Sequence, residues 1–277
     1  MFQAGAFLAP FTFSWSGLTI CVALYLLSAL GVSAGYHRLL THRSFRTTRF
    51  VEYTLATLGC VANQGGPIQW VATHRIHHRH SDREGDPHSP RDGWWWAHLL
   101  WWMPFSTECD DPARYERYAG DLVKDPFHRF LQRFQILLPL GLLSLLFVGG
   151  QVWGGVGLSW VVWGIFVRTT TLYHAIWLVN SAAHSWGYRS YRTRDDSRNL
   201  WWVALISLGD GWHNNHHAFP RSARHGLRWW ETDVSYYTIR AMGLFGLAWQ
   251  IHVPPKAQVY ATEVEPPTER AAEGVSS

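Results

Sequence analysis

Cysteine is scarce in this chain: Cys21, Cys60 and Cys109 are the only three in 277 residues. They are far apart, odd in number and form no CxxC pair. That excludes a disulfide framework and a thiolate metal site, and leaves them as packing residues. No aromatic-interleaved RNA motif or DNA-reading pattern is present, so nucleic acid is not the partner that a formal charge of +4 and a pI near 9.1 suggest. Anionic lipid or an acidic protein fits that charge better. There is no basic stretch ahead of the first apolar run, as a cleaved signal peptide requires, and no internal repeat. Charge is missing altogether from Phe13 to Tyr36.

What is present in excess is tryptophan, 18 residues of it. Tryptophan favours membrane interfaces, where its ring sits in the apolar layer and its N–H reaches water. A mean hydropathy of −0.11 fits a chain half in a membrane and half in a His/Arg-rich cap. Apolar stretches near 13–36, 134–150 and 156–179 predict spans, the last two joined by a Gly-rich turn. The apolar stretch 50–71 is broken by Glu52, Asn63, Gln64 and Pro67, which predicts an interfacial or packed segment. Arg38, Arg43, Arg46 and Arg49 follow the first span and Arg189, Arg192, Arg194 and Arg198 follow the last, whereas the hairpin turn has no Lys or Arg. The positive-inside rule then predicts a cytoplasmic cap made of 37–133 and 180–255. The expected architecture is all-α and polytopic: a single domain over 1–255 with a helical stalk and a helical cap. The segment 256–277, rich in Glu, Pro and Ala, is expected to be disordered.

Three histidine clusters carry the chemistry: HRLLTH at 37–42, HRIHH at 74–78 and HNNHH at 213–217. Residues at i, i+3 and i+4 share a helix face, so each HxxHH can aim three imidazoles at one point. His37 and His42 are five apart. In one unbroken α-helix they point about 140° apart, so either the helix ends between them or they serve different metals. Eight imidazoles exceed the needs of one ion and predict a two-metal centre. His184 offers a ninth nitrogen, and Asn180, four residues earlier, shares its face. Asp82, Asp86 and Asp210 are placed to accept the second N–H of ligating imidazoles and fix their tautomer. His80 and His88 lie off the rhythm and are assigned outer or surface roles. The isolated His98, His128, His174, His225 and His252 read as surface or core residues. The tryptophan pairs and runs at 94–96, 101–102, 201–202 and 229–230 read as interfacial and packing residues. An all-nitrogen pair of sites at a membrane surface points to dioxygen activation with iron, because zinc has no redox chemistry.

This ordered set resembles the membrane-bound fatty acid desaturases, specifically the delta-9 acyl desaturase group, in wording most like cyanobacterial and other bacterial acyl-lipid members. The likeness runs from about Leu18 to Val253. It rests on HRLLTH, on QGGPIQWVATHRIHHRHSD at 64–82, DPHSPRDGWWWAH at 86–98, WLVNSAAHSWGYR at 177–189 and DGWHNNHH at 210–217. The resemblance implies two iron ions held by His37, His42, His74, His77, His78, His184, His213, His216 and His217. It implies that Asn180 holds a metal-bound water and that Trp70 and Trp177 line an acyl tunnel. It further implies O₂-dependent insertion of a cis double bond, with two electrons from a separate ferredoxin-like or cytochrome b5-like donor. The implied location is a bacterial inner membrane or thylakoid, with the site on the cytoplasmic side.

Two departures from the family pattern bear on this. Met1–Phe13 is too short to cross a bilayer where the family has a further span, so a late start or a reduced helix is expected. Animal acyl-CoA members carry Arg-Asp before the second cluster; Ala72 and Thr73 stand here, favouring a lipid-linked or carrier-linked acyl chain. The competing reading is a di-iron hydroxylase or monooxygenase with the same ligands. A scaffold or metal buffer does not need histidines converging from four segments.

Overall fold

A computed structural model describes residues 2–103 and 111–262, in which the chain is mostly helical. Cys109 lies outside the described residues; Cys21 and Cys60 are buried, as packing roles require. The first apolar stretch opens on Ser14, whose Oγ accepts from the Gly17 N–H at 3.0 Å. It runs as an α-helix over Trp15–Leu30 and continues without a break as a π-helix over Gly31–Thr41. The rod of 27 residues is long and apolar enough to cross a bilayer. So is Leu137–Gly154, of whose apolar window only 11% is buried against protein. Leu140, Leu145, Val148 and Val152 therefore face outward, a surface that suits lipid and not water.

Among the described residues these two helices are the only ones both long and apolar enough. The third expected span is helical from Gly157 to Ser181, in α, π and α pieces. Arg168, Thr169–Thr171 and His174 lower its hydropathy. Arg168 is fully buried, and its Nη1 donates to the Val61 carbonyl at 2.7 Å. It thus satisfies an orphan carbonyl at the end of the helix Arg49–Val61. Gly155 (φ 74°), at the C-terminus of Leu137–Gly154, supplies the left-handed turn of the hairpin. The chain ahead of Trp15 forms Phe2–Ala6 and Ala9–Phe11, with Phe2 edge-on to Tyr173.

The helix Arg49–Val61 crosses the π-helical segment where Gly31 meets Leu58 and Gly59; a Cβ at Gly31 would collide with that backbone. The next helix, Pro67–His80, carries the second cluster. Pro67 opens it, and the Gln132 side chain from Pro126–Phe134 caps it, accepting from the N–H groups of Ile68 (3.1 Å) and Gln69 (3.0 Å). Tyr36, Leu39, Phe45, Ala56, Val71, Leu122, Leu131 and Ile239 form the core where these helices meet. One two-stranded antiparallel sheet pairs Arg46 with Trp249 and Thr47 with Ala248. The segment expected to be disordered begins with a helix, Lys256–Thr262. Its first residues, Lys-Ala-Gln, are good helix formers placed directly after Pro254-Pro255, which ends the preceding extended chain. The rest of that segment lies outside the described residues.

Candidate metal centre

The nine imidazoles come together in two groups. One contains His37, His42, His74, His78 and His216; the other contains His77, His184, His213 and His217. Within each group the nearest nitrogens lie within 4.8 Å of one another. Each HxxHH is thus divided between the groups, which corrects the expectation of three imidazoles at one point. At 3.6 residues per turn, i+4 lies about 40° to one side of i and i+3 about 60° to the other. His74 and His78 therefore share a group that His77 leaves. In the shorter helix His213–Ala218, His213 and His217 stay together and His216 crosses over.

Of the two alternatives for the spacing of five, the first holds: the helix ends at Thr41, with His42 as its C-cap, and both histidines join one group. What the spacing does not signal is the winding of that helix. Its i+5 hydrogen bonds, such as His42 N–H to the His37 carbonyl at 3.1 Å, wind a wider turn. That turn brings residues five apart onto one face, with ring centroids 5.0 Å apart.

Several Nε2 atoms converge: His37 and His216 at 3.0 Å, His216 and His78 at 2.9 Å, His78 and His74 at 3.1 Å, His213 and His184 at 3.0 Å. These separations match neighbouring donors that each sit about 2.0–2.1 Å from one first-row cation. The Nε2 atoms of His42, His77 and His217 are buried without a hydrogen-bond partner. Buried lone pairs crowded in this way are costly unless a cation takes them. The donor set therefore fits two metal ions, and all-imidazole donors suit iron.

Carboxylates hold the opposite nitrogens. His77 Nδ1 lies 2.9 Å from Asp86, His184 Nδ1 2.8 Å from Asp82, and His37 Nδ1 3.3 Å from Asp210. A fourth, Asp195, lies 2.8 Å from His217 Nδ1 and was missed by sequence reasoning. It sits in a loop 22 residues before its partner, with no motif to mark it. Asp210 is itself fixed by the buried Arg38, at 2.8 Å. His88 lies outside both groups, buried with its ring 4.3 Å from that of His77, and joins His77 and Asp86 in a further group that could hold a metal ion. His80 stays outside, its Nδ1 3.1 Å from the Glu84 carbonyl. His225 departs from its expected bland role. It is buried against the first group, its ring 4.4 Å from His216 and its Nδ1 2.9 Å from the Arg38 guanidinium. Nothing in its spacing from His217 signals this. His98 and His174 bond to each other at 3.0 Å, outside both groups.

Burial holds His42, His74, His78, His213 and His216 well below the ordinary imidazole pKa, and neighbouring imidazoles add to the effect. Burial brings His217 down to about 4 against the pull of Asp195, and His88 down to about 3. His77 is the exception: burial disfavours its cation, yet Asp86 raises its pKa. Burial also opposes ionisation of Asp86, Asp195 and Asp210. Even so, His77, His217 and Arg38 respectively hold these carboxyls below their usual range. For His42, His74, His78, His213, His216 and His217 the balance favours the neutral imidazole, the form that a metal requires.

Asn180, Trp70 and Trp177 line one small cavity of about 40 Å³, together with Gln64, Trp101 and His74 of the first group. It is apolar on most sides and ends at the imidazoles.

Fold and site together show a mostly helical chain with two helices long and apolar enough to cross a membrane and two groups of histidines that could each hold a metal ion. A profile of the family described as fatty acid desaturase matches residues 13–244. The chain is 47% identical over 251 residues to the sn-1 stearoyl-lipid 9-desaturase of Anabaena variabilis, covering 90% of this chain and 89% of that protein. It is 44% identical to the sn-2 palmitoyl-lipid 9-desaturase of Nostoc sp. (strain 36), covering 92% and 88%. It is also 44% identical to an acyl-CoA C20 Delta5-desaturase of Anemone leveillei, covering 89% and 77%. The chain belongs to the fatty acid desaturase family, and it is an oxidoreductase of fatty acyl chains.

Proposed function

We propose that this chain is an acyl-lipid desaturase that places one cis double bond, at delta-9, in a saturated acyl chain. The observation that carries the reading is the division of nine buried or partly buried imidazoles into groups of five and four beside a small, mostly apolar cavity. The similarity to lipid 9-desaturases supports the lipid-linked substrate. Ala72 and Thr73 weigh against a CoA-linked substrate, since neither offers a charge to the CoA head.

In this reading one iron is held by His37, His42, His74, His78 and His216, and the other by His77, His184, His213 and His217. Asn180 holds a metal-bound water. When bound, the irons supply the activation of dioxygen and the removal of hydrogen from unactivated carbons. The balance is a CH₂–CH₂ pair, O₂, two electrons and two protons giving CH=CH and two waters. The protein's own part is positioning. Asp82, Asp86, Asp195 and Asp210 hold the imidazoles with Nε2 inward. Trp70 and Trp177 flank the acyl chain, exclude water and fix which carbons approach the imidazoles. The two electrons come from a separate ferredoxin-like or cytochrome b5-like protein. Residues 1–255 act as one domain whose spans are the rod from Trp15, the helix Leu137–Gly154 and the helical stretch 157–181. The centre faces the cytoplasm of a bacterial inner membrane or the equivalent side of a thylakoid.

The test is expression in a host lacking desaturases, with ferredoxin and its reductase, followed by mass spectrometry of double-bond adducts. A monoene with its bond at one fixed position is expected. A hydroxy acid would overturn desaturation in favour of a hydroxylase.

A further inference from the structure

Outside the metal centre an open groove of about 770 Å³ lies on the side of the π-helical turn. Leu39 and Leu40 line it, and the same turn carries His37 and His42. Three carboxylates in the groove are already matched. Asp121 lies 2.6 Å from Arg43 and 2.7 Å from Arg75, Asp125 pairs with Arg49, and Glu52 lies 3.7 Å from Arg49. Arg46, Lys124 and Arg221 also line it, are exposed, and make no ion pair among the described residues. Trp249, 42% exposed, adds a flat aromatic surface amid these cations. Surplus positive charge around an exposed tryptophan is the composition of a protein-binding hot spot for an acidic partner.

We propose that this groove docks the acidic protein that delivers electrons to the centre. The inference rests on the desaturase reading, which requires an external donor. Two observations favour a donor over a lipid headgroup. The groove shares no lining residue with the small cavity of Trp70 and Trp177, so the two are separate openings. The groove does back directly onto the helical turn that supplies two imidazoles, the short route that electron delivery needs. Surface charge then acts as steering, raising the rate of encounter and weakening with salt.

The test uses the iron-loaded enzyme in lipid nanodiscs with reduced plant-type [2Fe–2S] ferredoxin as donor. The triple variant Arg46→Glu, Lys124→Glu, Arg221→Glu should raise the KM for ferredoxin at least tenfold and flatten the dependence of kcat/KM on ionic strength. Iron content should stay normal, as should the monoene formed in one turnover after reduction by dithionite. The milder Arg46→Gln should shift KM in the same direction by a smaller factor. An unchanged KM for ferredoxin overturns the proposal. So does a raised KM for the lipid with that for ferredoxin unchanged, which would make the groove a headgroup site. If the unaltered enzyme forms no monoene even with dithionite, the desaturase reading has failed, and that outcome is distinct from failure of the groove.

Discussion

Asp195→Ala should loosen one metal and spare the other. Asp195 reaches only His217, whose Nδ1 lies 2.8 Å away, and His217 belongs to the group of four. The carboxylate also accepts from the Ser197 N–H at 3.1 Å and the Thr193 hydroxyl at 2.9 Å, so its own position is fixed by the loop. Without it His217 is free to rotate or to change tautomer, and its Nε2 no longer faces inward at no cost. Removing an outer carboxylate behind a metal-bound histidine lowers affinity about 10–100-fold, or roughly 1.4–2.8 kcal/mol. The group of five contains no ligand that Asp195 touches, so its affinity should change little. Titration against a graded series of chelators, with metal counted by mass spectrometry, should show the two ions leaving in separate steps. The second step should match the unaltered protein. Asp195→Asn, which keeps an acceptor oxygen, should fall between. Loss of both ions in one step, or no change in either, would refute the division into groups of five and four.

Asp210→Asn should give the mirror result through His37, loosening the ion in the group of five first in the same chelator series. His78→Ala should lower bound metal and abolish the monoene; full iron with normal turnover would remove His78 from the ligand set. The metal-free protein should lose stability as pH falls from about 6.5 towards 4. Buried imidazoles such as His217, lowered to about 4, stay neutral in the folded chain while the unfolded chain takes up protons. The slope is up to about 1.4 kcal/mol per pH unit for each such histidine. Melting temperatures in detergent at pH 7 and pH 5, with and without iron, check the sign; iron should delay the loss. Gly31→Leu should destabilise by about 1–3 kcal/mol, since the added side chain collides with the helix Arg49–Val61 at Leu58 and Gly59. Thermal unfolding measures it.

That these nine imidazoles converge was legible in the sequence because HxxHH places nitrogens within one turn of helix. The carboxylates Asp82, Asp86 and Asp210 were legible because they lie beside those motifs. Asp195 and His225 were not, because their partnership is made by loops that fold back onto the site, and spacing along the chain does not encode that. The π-helical turn at 31–41 was hidden for a similar reason. Its local sequence is compatible with an ordinary α-helix, and the wider winding appears where Gly31 and Gly35 pack against the neighbouring helix. The third apolar stretch was legible as a helix, but its buried Arg168 is explained only by the carbonyl of Val61, 107 residues away in the chain.

The pairing of His37 with His216 joins residues 179 positions apart, and the small sheet joins Arg46 to Trp249. A ribosome adding about 5–20 residues per second needs roughly ten to forty seconds to bridge that interval. Throughout it the first helices are made while neither group of imidazoles is complete. A metal ion that needs the whole of either group therefore has no complete site until the helix His213–Ala218 is made. On the proposed function, iron loading is then a late step of maturation, and a cell short of iron should accumulate a folded but metal-free protein.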